Sequence, residues 1–241
     1  ELNAANSLIA YGGLFARGLS QGGAVTTFSG GTFDIRGLVV DAGSSAGAGS
    51  WTLWAPDIEV VDGGDVGPVG GVVLGTQVQD ADINYALDSG TSVILRAGTT
   101  PADGGDIHFA DGVDLFYDDG TVPLLFRADA NGGITGSNFS ISSNGAALSM
   151  AFNADASSLN NGFAGISFTG ATLASNGGNI LFYGQSAVAN GVASNSDSGI
   201  EVFNSSIDTA GGNLLMRGST TGDDASSDDA GVVLDATSID T

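Results

Sequence analysis

The sequence predicts an all-β fold, a parallel β-helix with three short strands per coil and loop excursions between them. Three observations predict it. Apolar residues pair at i and i+2, which is the period of a strand and not of a helix. Glycines and apolar columns in the C-terminal half recur every 32 to 34 residues, a repeat of the size that solenoids show. The 241 residues include 40 Gly but only three Glu and no Lys, so charged helix formers are scarce.

Three columns of the repeat keep the same phase. The first holds the glycine-led segments 165–168, 199–202 and 231–234. The second holds Ile141, Leu173, Ile207 and Ile239, and the third places Leu148 with Ile180 and Leu214. Because strands of successive coils pair with one another, the columns predict inward stacks. The expected stacks are Ile166, Ile200 and Val232, and Phe168, Val202 and Leu234.

One coil is expected to contain strands at 199–203, 206–209 and 213–218. Gly211 and Gly212 mark the tight corner before the last strand, where a side chain would not fit. By the same pattern, 104–109 is expected to be equivalent to 177–182. No stretch keeps helical spacing for two turns, so each unit is expected to consist of strands and loops.

The first half follows the same pattern less regularly. Strand-like stretches lie at 32–35, 37–40, 51–54, 58–61, 71–74, 92–96 and 123–127. No composition shift marks a linker, so we expect a single β-helix segment over residues 1–241. Its coils are expected to be less regular in 1–80 and to become regular, at 32–34 residues each, in 133–241.

The net charge of −22 argues against negatively charged binding partners. An acidic chain repels phosphate and anionic lipid, which argues against a nucleic-acid partner and against an acidic membrane surface. No apolar run reaches the roughly 18 residues that a spanning helix needs. The chain has no Cys and therefore no disulfide framework or thiolate metal site.

Residues 81–150 carry a further pattern of motifs. It runs Ile83-Asn-Tyr-Ala-Leu87, Gly90-Thr-Ser-Val93-Ile-Leu95, Gly105-Asp-Ile107, Leu124-Leu-Phe126-Arg-Ala128, Ile134 and Ile141-Ser-Ser-Asn-Gly145. This pattern resembles the repeat region of the filamentous haemagglutinin-like exoproteins, the adhesins of Gram-negative two-partner secretion systems. The resemblance implies a right-handed parallel β-helix that an outer-membrane partner transporter secretes to the cell surface. It also implies an extracellular life, often as an adhesin stalk.

Candidate site residues are few. Asp223, Asp224, Asp228 and Asp229 place four carboxylates in one acidic loop, where oxygen ligands would suit calcium. The alternative, which we favour, is a solvated acidic surface whose Asp residues serve turns. His108 alternates with Ile107 and Phe109 and is expected to face solvent. The aromatic residues Trp54, Tyr85, Tyr117 and Tyr183 are expected to point outward, where they either cover loop packing on the coil, which is the commoner case, or form a carbohydrate or protein contact.

Three functional hypotheses follow. The first is a structural and adhesive segment of a large exoprotein, which attaches to a receptor or glycan of a host or neighbouring cell. The second is a polysaccharide-binding or polysaccharide-cleaving β-helix, in which Arg127 and Arg217 would share one face with carboxylates. The third is a calcium-dependent surface assembly module. Under the first hypothesis we expect no enzymatic activity and no cofactor. Unpaired strands at the coil ends also predict end-to-end self-association.

Overall fold

A computed structural model describes residues 1–64, 75–99, 104–118, 120–155, 165–187, 198–221 and 230–241. Within these residues the chain winds into a parallel β-helix, and all the named strand pairs in its sheets are parallel. The predicted fold class is therefore confirmed. The predicted strand at 71–74 and the acidic loop at 222–229 lie outside the described residues.

Three long sheets run along the rod, and their strands are numbered in chain order. Sheet 1 contains, in spatial order, β1 (Leu2–Ala4), β4 (Ala24–Ser29), β7 (Gly49–Ala55), β10 (Thr91–Ala97), β13 (Leu124–Ala130), β16 (Leu148–Asp155), β19 (Ile180–Ala187) and β22 (Leu214–Thr221). Sheet 2 contains β2 (Ser7–Ile9), β5 (Thr32–Asp34), β9 (Thr76–Gln79), β8 (Ile58–Val61), β11 (Ile107–Phe109), β14 (Ile134–Ser137), β17 (Ile166–Thr169), β20 (Ile200–Phe203) and β23 (Val232–Asp235). Sheet 3 contains β12 (Asp114–Tyr117), β15 (Ser140–Ser143), β18 (Thr172–Ala174), β21 (Ser206–Asp208) and β24 (Ser238–Asp240).

The early coils depart from this regular arrangement. On their third side, β3 (Gly12–Phe15) pairs with β6 (Leu38–Asp41), and the helix α1 (Asp80–Asp88) lies between β6 and β12. In sheet 2, β9 is inserted between β5 and β8. On the third side of the rod, α1 takes the place that a strand would have between β6 and β12.

The core consists of the inward-facing alternate residues of the strands. The predicted stacks exist: Ile166 pairs with Ile200 and Ile200 with Val232, while Phe168 pairs with Val202 and Val202 with Leu234. Six buried phenylalanines fill the middle of the rod, with ring centroids 4.9 to 6.4 Å apart. They are Phe109, Phe126, Phe139, Phe152, Phe168 and Phe182. Large buried rings are among the main contributors to the energy of a core.

Two predicted equivalences are wrong. Ile180 pairs with Met150, not with Leu148, so the third column was shifted by two residues. A shift of two keeps every side chain on the same face of the strand, which is why the sequence pattern does not reveal it. Ile107 lies in sheet 2 and Ile180 in sheet 1, so the segments 104–109 and 177–182 are not equivalent.

Helix α1 contradicts the expectation that no segment is helical. Its core-facing residues Ile83, Ala86 and Leu87 follow the i, i+3, i+4 spacing and are fully buried. Ile83 and Leu87 also fit the alternating pattern of a strand, since they are four residues apart. Tyr85, between them, is 47 % exposed, as the helix requires.

Polar side chains of α1 form hydrogen bonds with the backbone groups at the edge of β12, where a neighbouring strand would otherwise form them. Asn84 accepts from the backbone N–H of Phe116 at 2.9 Å and donates to the backbone carbonyl of Asp114 at 2.9 Å. Two carboxylates, one helical turn before and after Asn84, accept further backbone N–H groups of this edge. Asp80 accepts the N–H of Asp114 and Asp88 accepts the N–H of Asp118, both at 3.1 Å. Four residues of helix rise about 6 Å and two residues of strand about 6.7 Å. This match lets residues 80, 84 and 88 meet residues 114, 116 and 118.

The last coil leaves its core-facing residues partly uncovered. Val232, Leu234 and Ile239 continue the buried columns but are 37 %, 42 % and 44 % exposed. They form an apolar end surface.

Candidate binding face

The sequence-predicted metal residues cannot be placed by the structure. Asp223, Asp224, Asp228 and Asp229 lie outside the described residues. Among the residues that are described, no group of three or more His, Cys, Asp or Glu side chains is arranged to hold a metal ion. The hypothesis of a calcium site in the loop 222–229 therefore stays a prediction.

His108 faces solvent, as predicted. Its Nδ1 lies 2.9 Å from Oγ1 of Thr135 on the neighbouring strand β14.

Tyr117 is the one predicted outward aromatic residue that points the other way. It is fully buried, and its hydroxyl donates to the backbone carbonyl of Val122 at 2.8 Å. Burial is the main cause that raises the pKa of this hydroxyl above its ordinary value. Leu115 and Tyr117 are two residues apart on β12 and therefore share its core face. Tyr85 and Tyr183 do point outward, and Trp54 is half-buried on the outer face of β7.

The outer face of sheet 1 brings together residues that are far apart in sequence. Register places one outward side chain from each of the eight described strands in a single row, which we call the outer ladder. Its members are Asn3, Phe28, Trp54, Arg96, Asp129, Asn153, Tyr183 and Arg217. Parallel strands lie about 4.8 Å apart, so the row is about 34 Å long.

Two arginines of the outer ladder lie against aromatic rings. The Cζ of Arg96 is 4.9 Å from the centroid of Trp54, and the Cζ of Arg217 is 5.9 Å from that of Tyr183. The Trp54 ring is held on its other side by Phe28, with centroids 5.1 Å apart at 72°, and its Nε1 donates to the carbonyl of Gly98 at 2.8 Å. Stacking limits the freedom of the guanidinium groups, so less entropy is lost when they form hydrogen bonds to a ligand.

Asp129, in the central part of the outer ladder, accepts hydrogen bonds from two neighbouring side chains. Its Oδ1 accepts from Nε of Arg127 at 2.7 Å and from Nδ2 of Asn153 at 2.6 Å. Beside it lies an open depression of about 210 Å³ that Asp129, Asn153, Asp155, Tyr183 and Gln185 help to line. A second depression of about 190 Å³ lies at Asn3, Phe28 and Trp54.

Charge separates this face from the rest of the protein. The described strands of sheet 1 carry three Arg and two Asp, whereas those of sheet 2 carry four acidic residues and no Lys or Arg. The described strands of sheet 3 carry three Asp and likewise no Lys or Arg. The remaining two arginines of the chain are in ion pairs elsewhere, Arg17 with Asp41 and Arg36 with Asp34. The expectation that Arg127 and Arg217 share one face is confirmed, and Arg96 joins them there.

An acidic depression lies on the side of α1. It has a volume of about 550 Å³ and is lined in part by Asp62, Asp80, Asp88 and Asp114. The neighbouring Asp82 is buried, and its Oδ1 accepts the backbone N–H of Gly37 at 2.9 Å. Burial is the main cause that raises the pKa of Asp82 to about 7, and the charge of Asp80 adds to it. The carboxylates of Asp80, Asp82 and Asp88 accept backbone N–H groups of the surrounding strands and loops.

Comparison of the chain with protein-family models, with curated proteins and with solved structures finds no match. In the part of the chain that the structure describes, α1 falls well short of the length and apolarity that crossing a bilayer demands.

Proposed function

We propose that the chain is a structural and adhesive segment of a large secreted or surface-displayed exoprotein. In this role it attaches the surface that carries it to a receptor or glycan of a host or neighbouring cell. An outer-membrane partner transporter would deliver it to the extracellular side, as in the exoproteins that residues 81–150 resemble. The role involves no catalytic step.

The outer face of sheet 1 carries the proposal. It is a continuous surface about 34 Å long on a rod whose backbone groups are paired from strand to strand. Its exposed aromatic, amide and guanidinium groups are of the kinds that recognition surfaces use. Its charge also differs from that of the other two long sheets. A rigid rod of this kind serves at once as a spacer and as a platform for contact.

Bead attachment tests the adhesive role. The purified chain is coupled to fluorescent beads at known density, and the beads retained on host and bacterial cell layers are counted after washing. We expect more retention than for beads that carry an unrelated protein of similar size and negative charge, and we expect excess soluble chain to compete. Retention equal to that control on every cell layer would refute the proposal.

Surface labelling tests the proposed location. Antibody raised against the chain should label intact producing cells or be captured by protein in their culture medium. Signal that emerges only after the cells are broken would contradict secretion.

A further inference from the structure

We propose that the outer ladder binds a neutral, extended polysaccharide whose chain runs along the rod axis, across the strands of sheet 1. This inference rests on the proposed attachment role and names the ligand class that its binding face takes. Charge, hydrogen-bonding capacity and geometry each point to this occupant.

The charge of the protein argues against an acidic polysaccharide as the ligand and favours a neutral one. The chain carries a net charge of −22, and sheets 2 and 3 contribute acidic residues without Lys or Arg on their described strands. Sheet 1 has three Arg and two Asp on its described strands, which makes its outer face nearly neutral. An acidic glycan would be repelled by the protein as a whole and, at close range, by Asp129 and Asp155. A neutral glycan meets neither penalty.

The mixture of polar groups suits sugar hydroxyls. A hydroxyl both donates and accepts hydrogen bonds, so a surface that binds many of them has to offer donors and acceptors together. Along the outer ladder Arg96 and Arg217 supply donors, Asp129 supplies acceptors, and Asn153 and Tyr183 supply both. A surface built for sulfate or carboxylate groups would present donors without the carboxylate in the middle.

The geometry suits a linear chain. The ladder groups repeat at about 4.8 Å along the rod, which is comparable with the length of one pyranose ring in an extended polysaccharide. Beside the ladder, register places a second outward row that is largely apolar, with half-buried Thr52, Ile94, Leu181 and Leu215, buried Ala151 and exposed Arg127. A sugar ring has polar edges and a face of C–H groups, so it can contact the polar ladder and this apolar row at once.

Native gel electrophoresis in the presence of soluble polysaccharide tests the inference. The chain is run in gels containing neutral polymers (dextran, hydroxyethylcellulose, xyloglucan or galactomannan) or acidic ones (alginate, polygalacturonate or heparin). We expect at least one neutral polymer, and no acidic polymer, to retard the chain. Truncation of a central contact residue commonly weakens binding severalfold or more, so Tyr183→Ala should raise the apparent dissociation constant about tenfold.

Matched variants show whether the outer ladder is responsible. Tyr85→Ala removes an exposed tyrosine from α1, on another side of the rod, and should leave retardation unchanged. Arg96→Gln keeps a donor on the ladder without the charge, so it should weaken binding less than Tyr183→Ala does. Circular dichroism melts of all three variants confirm that each still folds.

Several outcomes would overturn the inference. They are retardation by acidic polymers alone, no retardation by any polymer of the panel, and equal loss of binding in Tyr85→Ala and Tyr183→Ala. If beads still attach to cells while no polymer retards the chain, the ladder inference fails and the attachment role stands. If a neutral polymer retards the chain and the beads do not attach, the adhesive role fails instead.

Discussion

Replacement of Asp82 by Asn tests the most unusual electrostatic feature of the coil that contains α1. Asp82 is 7 % exposed, its Oδ1 accepts the N–H of Gly37, and its Oδ2 is buried without a hydrogen-bond partner among the described residues. Burial raises its pKa from 3.8 to about 7, so the folded protein holds a proton that the unfolded chain has already lost. The carboxylate is therefore destabilising at neutral and alkaline pH.

The sign and size of the effect follow from proton linkage. Because the folded-state pKa is the higher one, the contribution of Asp82 to stability is most favourable below the unfolded value of 3.8 and declines as the pH rises to about 7. One unit of pKa difference corresponds to about 1.4 kcal/mol, so the full effect is at most about 4 kcal/mol above pH 7. The amide of the Asp82→Asn variant does not titrate. The stability of this variant relative to the natural chain should therefore increase between pH 4 and about pH 7 and level off above that.

The assay is urea unfolding followed by circular dichroism at pH 5, 6, 7 and 8. Asp240→Asn is the matched control, because it removes one charge from an exposed carboxylate in the last strand. We expect the free-energy difference for Asp82→Asn to grow by about 2–3 kcal/mol over this range, and more than that for Asp240→Asn. A difference for Asp82→Asn that does not change with pH would refute the reasoning.

Four further predictions concern the edge, core, loop and end of the rod. Asn84→Ala should cost about 1–3 kcal/mol in urea unfolding, because the backbone N–H of Phe116 loses its acceptor; an unchanged midpoint would contradict the pairing of α1 with β12. Phe168→Ala should cost about 3–5 kcal/mol by leaving a cavity among the stacked rings, and a loss below about 1 kcal/mol would count against a close-packed centre. Calcium at constant ionic strength should leave the melting temperature unchanged if the loop 222–229 is a solvated acidic surface; a rise that Asp→Asn changes in this loop abolish would establish a site instead. Leu234→Asp should reduce end-to-end self-association in sedimentation velocity, since it places a charge on the apolar end surface; identical sedimentation of both forms at high concentration would argue against that contact.

The register of the strands could be predicted where the coils are regular and not where their lengths vary. Ile166, Ile200 and Val232 are found in the predicted stack because the intervening loops keep nearly the same length. The shift from Leu148 to Met150 escaped prediction because the two residues point to the same side of β16. Tyr117 does not point outward as expected, and the alternation of polar Asp114 with apolar Leu115 is the signal that places it on the core face of β12.

The outer ladder could not be found from the sequence. From Trp54 to Arg217 its consecutive members are 42, 33, 24, 30 and 34 residues apart, since loops of different lengths connect the coils. Outward aromatic residues could be expected from alternation alone, and Trp54 and Tyr183 were. Their alignment with Arg96, Asp129 and Asn153 depends on the pairing of each strand with its neighbour.

By itself, the sequence determined the parallel β-helix, the strand period and the strongly acidic surface. These properties follow from local alternation of apolar residues, from a repeat that recurs along the chain and from composition, all of which can be read without contacts. Only the tertiary structure decided that residues 80–88 form a helix, because Ile83 and Leu87 fit either period and the unpaired edge of β12 favours the helical one. Only the tertiary structure placed three of the five arginines on the outer face of sheet 1. Long-range strand pairing joins residues that no local pattern connects.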